Sequence, residues 1–157
     1  MTNLSTPEDK LTELGLKLPS LPSPGGNYVP AKRAGSILYL SGVISTGPEG
    51  IITGLAGVDR TVEEGYAAAQ ACALTQLAII KNALASLDAV AEVLTVNGYV
   101  NAAAGFADAP AVINGASDLL VRIFGDAGKH VRAALGVSAL PRNALVELQM
   151  TVRVKES

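Results

Sequence analysis

The stretch His130-Val-Arg-Ala-Ala-Leu-Gly-Val-Ser-Ala-Leu-Pro-Arg-Asn-Ala-Leu-Val-Glu147-Leu-Gln-Met-Thr-Val-Arg153 contains two segments in which apolar and polar residues alternate. A period of two is typical of a β-strand with one buried face. Val131, Ala133, Leu135 and Val137 form the apolar side of the first strand; Val146, Leu148, Met150, Val152 and Val154 form that of the second. If the turn at Pro141 makes the strands neighbours, Arg132 and Glu147 project from the same, less apolar face. This charged pair is a candidate small-molecule site.

The rest of the chain predicts further strands and two long helices. Thr61 and Glu64 match a capping box at the start of an Ala-rich helix that runs to about Leu87. A second helix is expected from about Pro110 to just before Gly125. A short helix is predicted at 7–17 and strands at 27–33, 36–43 and 91–101. Because two helices cannot cover both faces of such a sheet, we expect them on one face. The other face then needs another subunit, and the site would lie at that interface.

Length and composition indicate one domain preceded by an extension. Residues 1–25 form the predicted extension, a short helix plus a connector rich in Pro and Gly, and residues 26–157 form the domain. Hydrophobic residues make up 49% of the chain and charged residues only 17%, which favours self-association.

Charge and cysteine content argue against several classes of protein. The formal net charge is −2 and there is no basic run, so a nucleic-acid partner is not expected. One Cys and one His make a disulfide within the chain impossible and a metal site improbable. No apolar run is long enough to span a membrane, and the N-terminus lacks a signal-peptide pattern. A cytoplasmic location is therefore expected.

Five short motifs occur in order between Gly26 and Val154. They are Asn27-Tyr28-Val, Leu40-Ser41-Gly42-Val-Ile-Ser, Val112-Ile-Asn114-Gly, Val131-Arg132-Ala and Leu140-Pro141…Val146-Glu147. Together they resemble the RidA/YjgF (Rid) family, also called the endoribonuclease L-PSP family, and the N-terminal extension suggests a divergent subgroup. The resemblance implies an α+β, chorismate-mutase-like fold: a mixed β-sheet with two helices on one face, three copies of which form a trimer around a central barrel.

The resemblance also implies a set of site residues. Carried over by position, these are Tyr28, Ser41, Gly42, Asn114, Arg132 and Glu147. Arg132 is expected to bind a substrate carboxylate through two parallel hydrogen bonds, and Glu147 to hold or activate water. The other four are expected to contact the substrate. Ala134 stands where many relatives have a cysteine, so we do not expect a thiol in the chemistry.

Each residue also has a structural alternative. Arg132 could form a structural salt bridge, and Glu147 could form an ion pair with Arg132 or Arg153 or a trimer contact. Gly42 could mark a strand bulge, and Asn114 could cap a helix or hold a loop. Tyr28 and Ser41 could be ordinary strand residues. His130 is left out of catalysis, because a lone histidine at a strand start is more often a packed or solvated residue.

The resemblance implies hydrolysis of reactive 2-imino acids to 2-oxo acids and ammonia, without metal or organic cofactor. The expected partners are a small carboxylate or imino acid and two further copies of the chain. The alternatives are a non-catalytic, carboxylate-binding regulator of the same fold and, less favoured by the net charge, an endoribonuclease.

Overall fold

The computed structural model describes residues 5–156 and has an α+β architecture. Its helices are α1 (Pro7–Glu13), α2 (Val62–Leu84) and α3 (Ala109–Phe124). Its strands are β1 (Ala31–Ala34), β2 (Ile37–Leu40), β3 (Val43–Ile44), β4 (Thr46–Gly47), β5 (Gly50–Ile51), β6 (Val90–Asn101), β7 (Val131–Val137) and β8 (Val146–Val154). Three short 3₁₀ turns lie at Leu87–Ala89, Gly125–Gly128 and Pro141–Asn143.

The main sheet is mixed. Its strand order is β1-β2-β8-β6-β7, and β3 pairs with β8 beyond the end of β2. All neighbours are antiparallel except β6 and β7, which are parallel and are connected by α3. A parallel pair needs such a crossover. Strands β4 and β5 form a separate small hairpin.

Both long helices begin where local chemistry predicts, and α2 ends earlier than predicted. Thr61 Oγ1 accepts a hydrogen bond from Glu64 N and the Glu64 carboxylate accepts one from Thr61 N, each at 3.1 Å, so the predicted capping box is confirmed. Helix α2 ends at Leu84, before the predicted Leu87, because Ala85 adopts a left-handed conformation. Helix α3 has Pro110 in its first turn and ends at Gly125, as predicted.

Glycines allow α2 and α3 to pack closely. A Cβ at Gly115 of α3 would overlap the backbone carbonyl of Tyr66 in α2. A Cβ at Gly65 of α2 would lie 2.9 Å from the methyl groups of Val112. Gly115, which ends the Val112-Ile-Asn114-Gly motif, therefore allows the close contact between the two helices.

Among residues 5–156, helices cover one face of the main sheet and leave the other uncovered, as predicted. The apolar positions of β8 face the helices and are buried. On the opposite face, here called the open face, Tyr39, Val131 and Leu135 are 51%, 71% and 53% exposed. An apolar cluster of this kind on one face typically marks an interaction surface.

Several predicted elements differ from those observed. Helix α1 ends at Glu13 rather than 17, because the backbone turns at Gly15 with φ +70°. The strand predicted from residue 27 begins at Ala31, and the strand predicted over 36–43 is interrupted at Ser41 and Gly42. The strands β7 and β8 are not neighbours, because β6 lies between them.

Within residues 5–156, no helix combines the length and the apolar character that crossing a membrane would require.

Candidate functional site

Arg132 lies on β7, where α3 supplies its partners. Its Nη1 donates to Asn114 Oδ1 (2.8 Å) and to Ser117 Oγ (3.0 Å), and its Nη2 donates to the carbonyl of Pro110 (3.2 Å). All three acceptors are neutral, and Arg132 forms no ion pair within residues 5–156. The guanidinium is thus oriented but keeps an uncompensated positive charge, so the alternative of an Arg132–Glu147 ion pair does not hold within one chain.

His130 belongs to the same network through Ser117. Its Nδ1 lies 2.7 Å from the carbonyl of Gly128, which can only accept, so Nδ1 carries the proton in the neutral ring. Its Nε2, 2.8 Å from Ser117 Oγ, then accepts from that hydroxyl, whose lone pairs are left to receive Arg132. His130 therefore orients Ser117. Ser117 was not predicted from the sequence, although its position three residues after Asn114 places both on one helix face.

Glu147 lies on the opposite face of the sheet from Arg132. Arg132 of β7 and Met150 of β8 both pair with Val96 of β6, and this row faces the helices. Glu147 is three residues from Met150 and pairs with Tyr99, so it lies on the open face. The prediction that Arg132 and Glu147 share one sheet face is therefore wrong. In β7 the apolar side, with Val131 and Leu135, faces outward rather than toward the core.

Tyr28, Ser41, Gly42 and Glu147 line one cleft of about 1070 Å³. Ser41 follows β2; its Oγ donates to the carbonyl of Val29 (2.6 Å) and its N–H to that of Pro30 (2.9 Å). Tyr28 Oη accepts from Gly25 N (3.2 Å). These bonds fasten the segment before β1 to the gap between β2 and β3, so the four residues are held together at this edge of the sheet.

The Glu147 carboxylate is half-buried against Gly42. Burial raises the pKa of Glu147 above its usual range, because desolvation disfavours the charged form. A Cβ at Gly42 would lie 2.9 Å from Glu147 Oε2, so the absence of a side chain at this position makes room for the carboxylate. The conformation of Gly42 does not require glycine, since its φ is not positive.

Two further residues shape this cleft, and neither was predicted from the sequence. The buried Gln76 of α2 donates from Nε2 to the carbonyls of Ser41 (2.8 Å) and Leu148 (3.0 Å), which fixes the gap between β2 and β3 against β8. Arg142 lines the cleft with its backbone in the left-handed region, φ 55° and ψ 27°. A non-glycine residue in this region is uncommon, and such residues often lie at functional sites.

Comparison with known proteins identifies the family. The family model described as "YjgF/chorismate mutase-like, putative endoribonuclease" matches residues 8–153. The chain belongs to this family. The resemblance to RidA/YjgF proteins inferred from the five motifs is confirmed, and so is the chorismate-mutase-like fold.

Three relatives of this YjgF-like chain match nearly its whole length. "Protein TCP17" of Trypanosoma cruzi is 41% identical over 146 residues, covering 92% of this chain and 91% of that protein. Atu1372 of Agrobacterium tumefaciens, a protein of unknown function, is 39% identical with a TM-score of 0.87, covering 95% of this chain and 92% of that one. A "putative endoribonuclease" of Shewanella oneidensis is 34% identical with a TM-score of 0.92, covering 96% and 100%. Coverage this high includes most of the N-terminal extension.

Proposed function

We propose that this protein is a homotrimeric hydrolase that converts 2-imino acids to 2-oxo acids and ammonia. The supporting observation is that the chain carries two half-sites of opposite charge that do not meet. The first half-site is Arg132 with Asn114, and the second is Glu147 with Tyr28, Ser41 and Gly42. Neither Arg132 nor Glu147 forms an ion pair within residues 5–156.

The positions of the half-sites favour a ring of copies. Arg132 lies on β7 at one edge of the sheet, and the cleft with Glu147 lies toward the other edge, beside β3. A contact that joins two different surfaces of a chain is head-to-tail and closes into a ring when the rotation allows it. Three copies packed on their open faces would cover Tyr39, Val131 and Leu135. Arg132 is exposed on the edge strand β7, so in such a ring its guanidinium would reach the Glu147 of a neighbour across that edge.

The chemistry then follows from the two groups. The Arg132 guanidinium binds the substrate carboxylate, and Asn114 and Ser117 hold it in place. The substrate reacts as its iminium, with the C2=N nitrogen protonated. Glu147 takes a proton from water as the oxygen attacks C2, which gives a neutral carbinolamine. The same carboxyl returns that proton to the amine nitrogen; as the C–N bond breaks, Glu147 takes the hydroxyl proton, and ammonia and the 2-oxo acid leave. A raised pKa suits a carboxyl that both accepts and donates a proton near neutral pH.

Release of ammonia and 2-oxobutyrate from freshly generated 2-iminobutyrate tests the proposal. We expect Arg132→Ala to lower kcat/KM by about a hundredfold or more, because the substrate is no longer oriented. Wild-type protein that is no faster than this variant contradicts the proposal. Thermal stabilisation by a small carboxylate without turnover would indicate a binding protein instead, and cleavage of RNA lost in the same variant would indicate a ribonuclease.

Gly42→Ala is expected to lower imine hydrolysis by about tenfold or more and to change the free energy of unfolding by less than about 1 kcal/mol. The new methyl group would displace the Glu147 carboxylate, which is the flexible end of a side chain and can move. Kinetics and urea unfolding of the same samples separate the two effects. Gly136→Ala, outside the cleft, whose Cβ would meet Ala102 at an ordinary 3.7 Å, is the matched control. Equal kinetics in both variants would argue against a role for the position of Glu147.

Glu147→Gln is expected to abolish most of the hydrolysis and yet to stabilise the protein at neutral pH. Because the pKa of Glu147 is raised on folding, the folded state binds its proton more tightly than the unfolded state does. The wild-type protein therefore loses stability as the pH rises through this range, and glutamine removes that loss. The gain should shrink as the pH falls to about 4, where the unfolded carboxyl is also protonated. Urea unfolding at both pH values and at fixed protein concentration measures this change in the free energy of unfolding. Glu49→Gln, in the exposed β4–β5 turn, is the control. A variant less stable at neutral pH would contradict this.

A further inference from the structure

We infer that the preferred substrate is an imino acid with a large apolar side chain, and that residues 17–25 form one wall of the pocket that binds this side chain. The inference rests on the proposed function, since it assigns a substrate class to the same site. Residues 17–25 are called the strap below.

The cleft extends well beyond Glu147. From the open face it continues around the edge of the sheet to α2, where Leu74 and Ile79 line it. Leu18 and Leu21 of the strap form one wall, and Val43 and Ile51 lie on the strands opposite. The end near Ser41 and Glu147 is polar, and the rest of the wall is mostly apolar. This gradient fits a molecule with a polar head and an apolar tail.

The strap is fixed at both ends. Before it, α1 is anchored by the buried Leu11 and by Glu8, whose Oε1 accepts hydrogen bonds from Leu87 N (2.7 Å) and Ser86 Oγ (3.2 Å). At the far end, Gly25 N donates to Tyr28 Oη (3.2 Å), and the next two carbonyls, of Val29 and Pro30, accept from Ser41 Oγ and Ser41 N of the sheet. Pro19, Pro22 and Pro24 restrict the backbone between these anchors. The strap therefore acts as a stiff wall of the pocket.

The volume of the cleft decides between small and large substrates. Pockets that enclose drug-sized ligands measure about 300–1,000 Å³, and this cleft reaches about 1070 Å³. The imine of alanine or of 2-aminobutyrate would fill only the polar end. Leu21, which is 49% exposed although it lines the cleft, is left for a ligand to cover. Each further methylene buried there is expected to raise kcat/KM by about fourfold.

Two cations also line the cleft, and they provide the competing assignment. Lys17 belongs to the strap, and Arg142 lies in the turn before β8. If they bound the far end of the substrate, that end would be acidic. The imine of glutamate therefore belongs in the same test.

The experiment compares imines that an amino-acid oxidase generates in situ from leucine, phenylalanine, 2-aminobutyrate and glutamate, with the full-length chain. For the wild type we expect kcat/KM for the leucine imine to exceed that for the 2-aminobutyrate imine by about fifteenfold, for two further methylenes. Leu74→Trp fills the pocket and Leu21→Ser makes its wall polar, so both should reduce this ratio severalfold. Because Leu21 is half-exposed, we expect its replacement to have little effect on folding. Val58→Ser, at an exposed position outside the cleft, should leave the ratio unchanged.

The possible results separate this inference from the proposed function. A ratio that falls in both cleft variants and not in the control supports the apolar pocket. Equal rates on small and large imines, with ratios unchanged in the variants, overturn the pocket and leave the proposed function standing. Preference for the glutamate imine also overturns the apolar pocket, and it assigns binding of the substrate's far end to Lys17 and Arg142. Hydrolysis of none of the imines contradicts the proposed function, and with it the inference.

Discussion

Mixtures of Arg132→Ala and Glu147→Gln subunits are expected to recover about one quarter of the wild-type imine hydrolysis, although each variant alone retains about 1% or less. The reason is that the two half-sites lie on opposite faces of the sheet within one chain. In a ring, each active site would take Arg132 from one copy and Glu147 from the next. With random mixing, half of the copies supply an intact Arg132 and half an intact Glu147, so one site in about four is complete.

Co-expression of the two variants, followed by purification and the ammonia-release assay, measures this recovery. The matched control mixes Arg132→Ala with Asn114→Ala. These two residues belong to the same half-site of the same chain, joined by a 2.8 Å hydrogen bond, so no mixture can restore it. Absence of recovery in the first mixture would show that the two half-sites do not combine between copies.

Gly115→Ala is expected to lower the free energy of unfolding by about 3 kcal/mol or more, the upper range for an overpacked core. The new methyl group would overlap the carbonyl of Tyr66, and a backbone atom of a 23-residue helix cannot rotate away as a side chain can. Helices α2 and α3 would have to separate. Because α3 carries Asn114, Ser117 and Pro110, Arg132 would also lose its partners.

Urea unfolding at fixed protein concentration tests this effect. Gly136→Ala is a control on a surface strand, where the nearest atom to the added Cβ lies at 3.7 Å. A loss of less than about 1 kcal/mol in Gly115→Ala would mean that the helix crossing relaxes at little cost.

Elements set by local chemistry could be predicted from the sequence. The capping box at Thr61 and the proline and glycine around α3 each act within a few residues, so both long helices were predicted to within about three residues. The placement of both helices on one face of the sheet also did not depend on which strands are neighbours. The six site residues, taken from the resemblance, stay predictions.

The orientation of β7 could not be predicted in this way. Alternation shows which residues of a strand share a face, but not which face meets the core. That depends on β6, which lies between β7 and β8 and is distant from both in sequence. The apolar side of β7 was therefore assigned to the core, although Val131 and Leu135 are exposed. Gln76 was missed for a similar reason, since its two partners lie 35 and 72 residues away.

The outer edge of β7 is an unpaired strand edge, which affects the behaviour of a single copy of the chain. This strand ends the sheet, its backbone has no pairing partner on that side among the described residues, and Arg132 is its one charged residue. Proteins usually protect such an edge with charges, prolines or bulges, because bare backbone recruits strands from other chains. An isolated copy of this chain would thus be prone to aggregation, and the proposed ring would have to form soon after synthesis to prevent it.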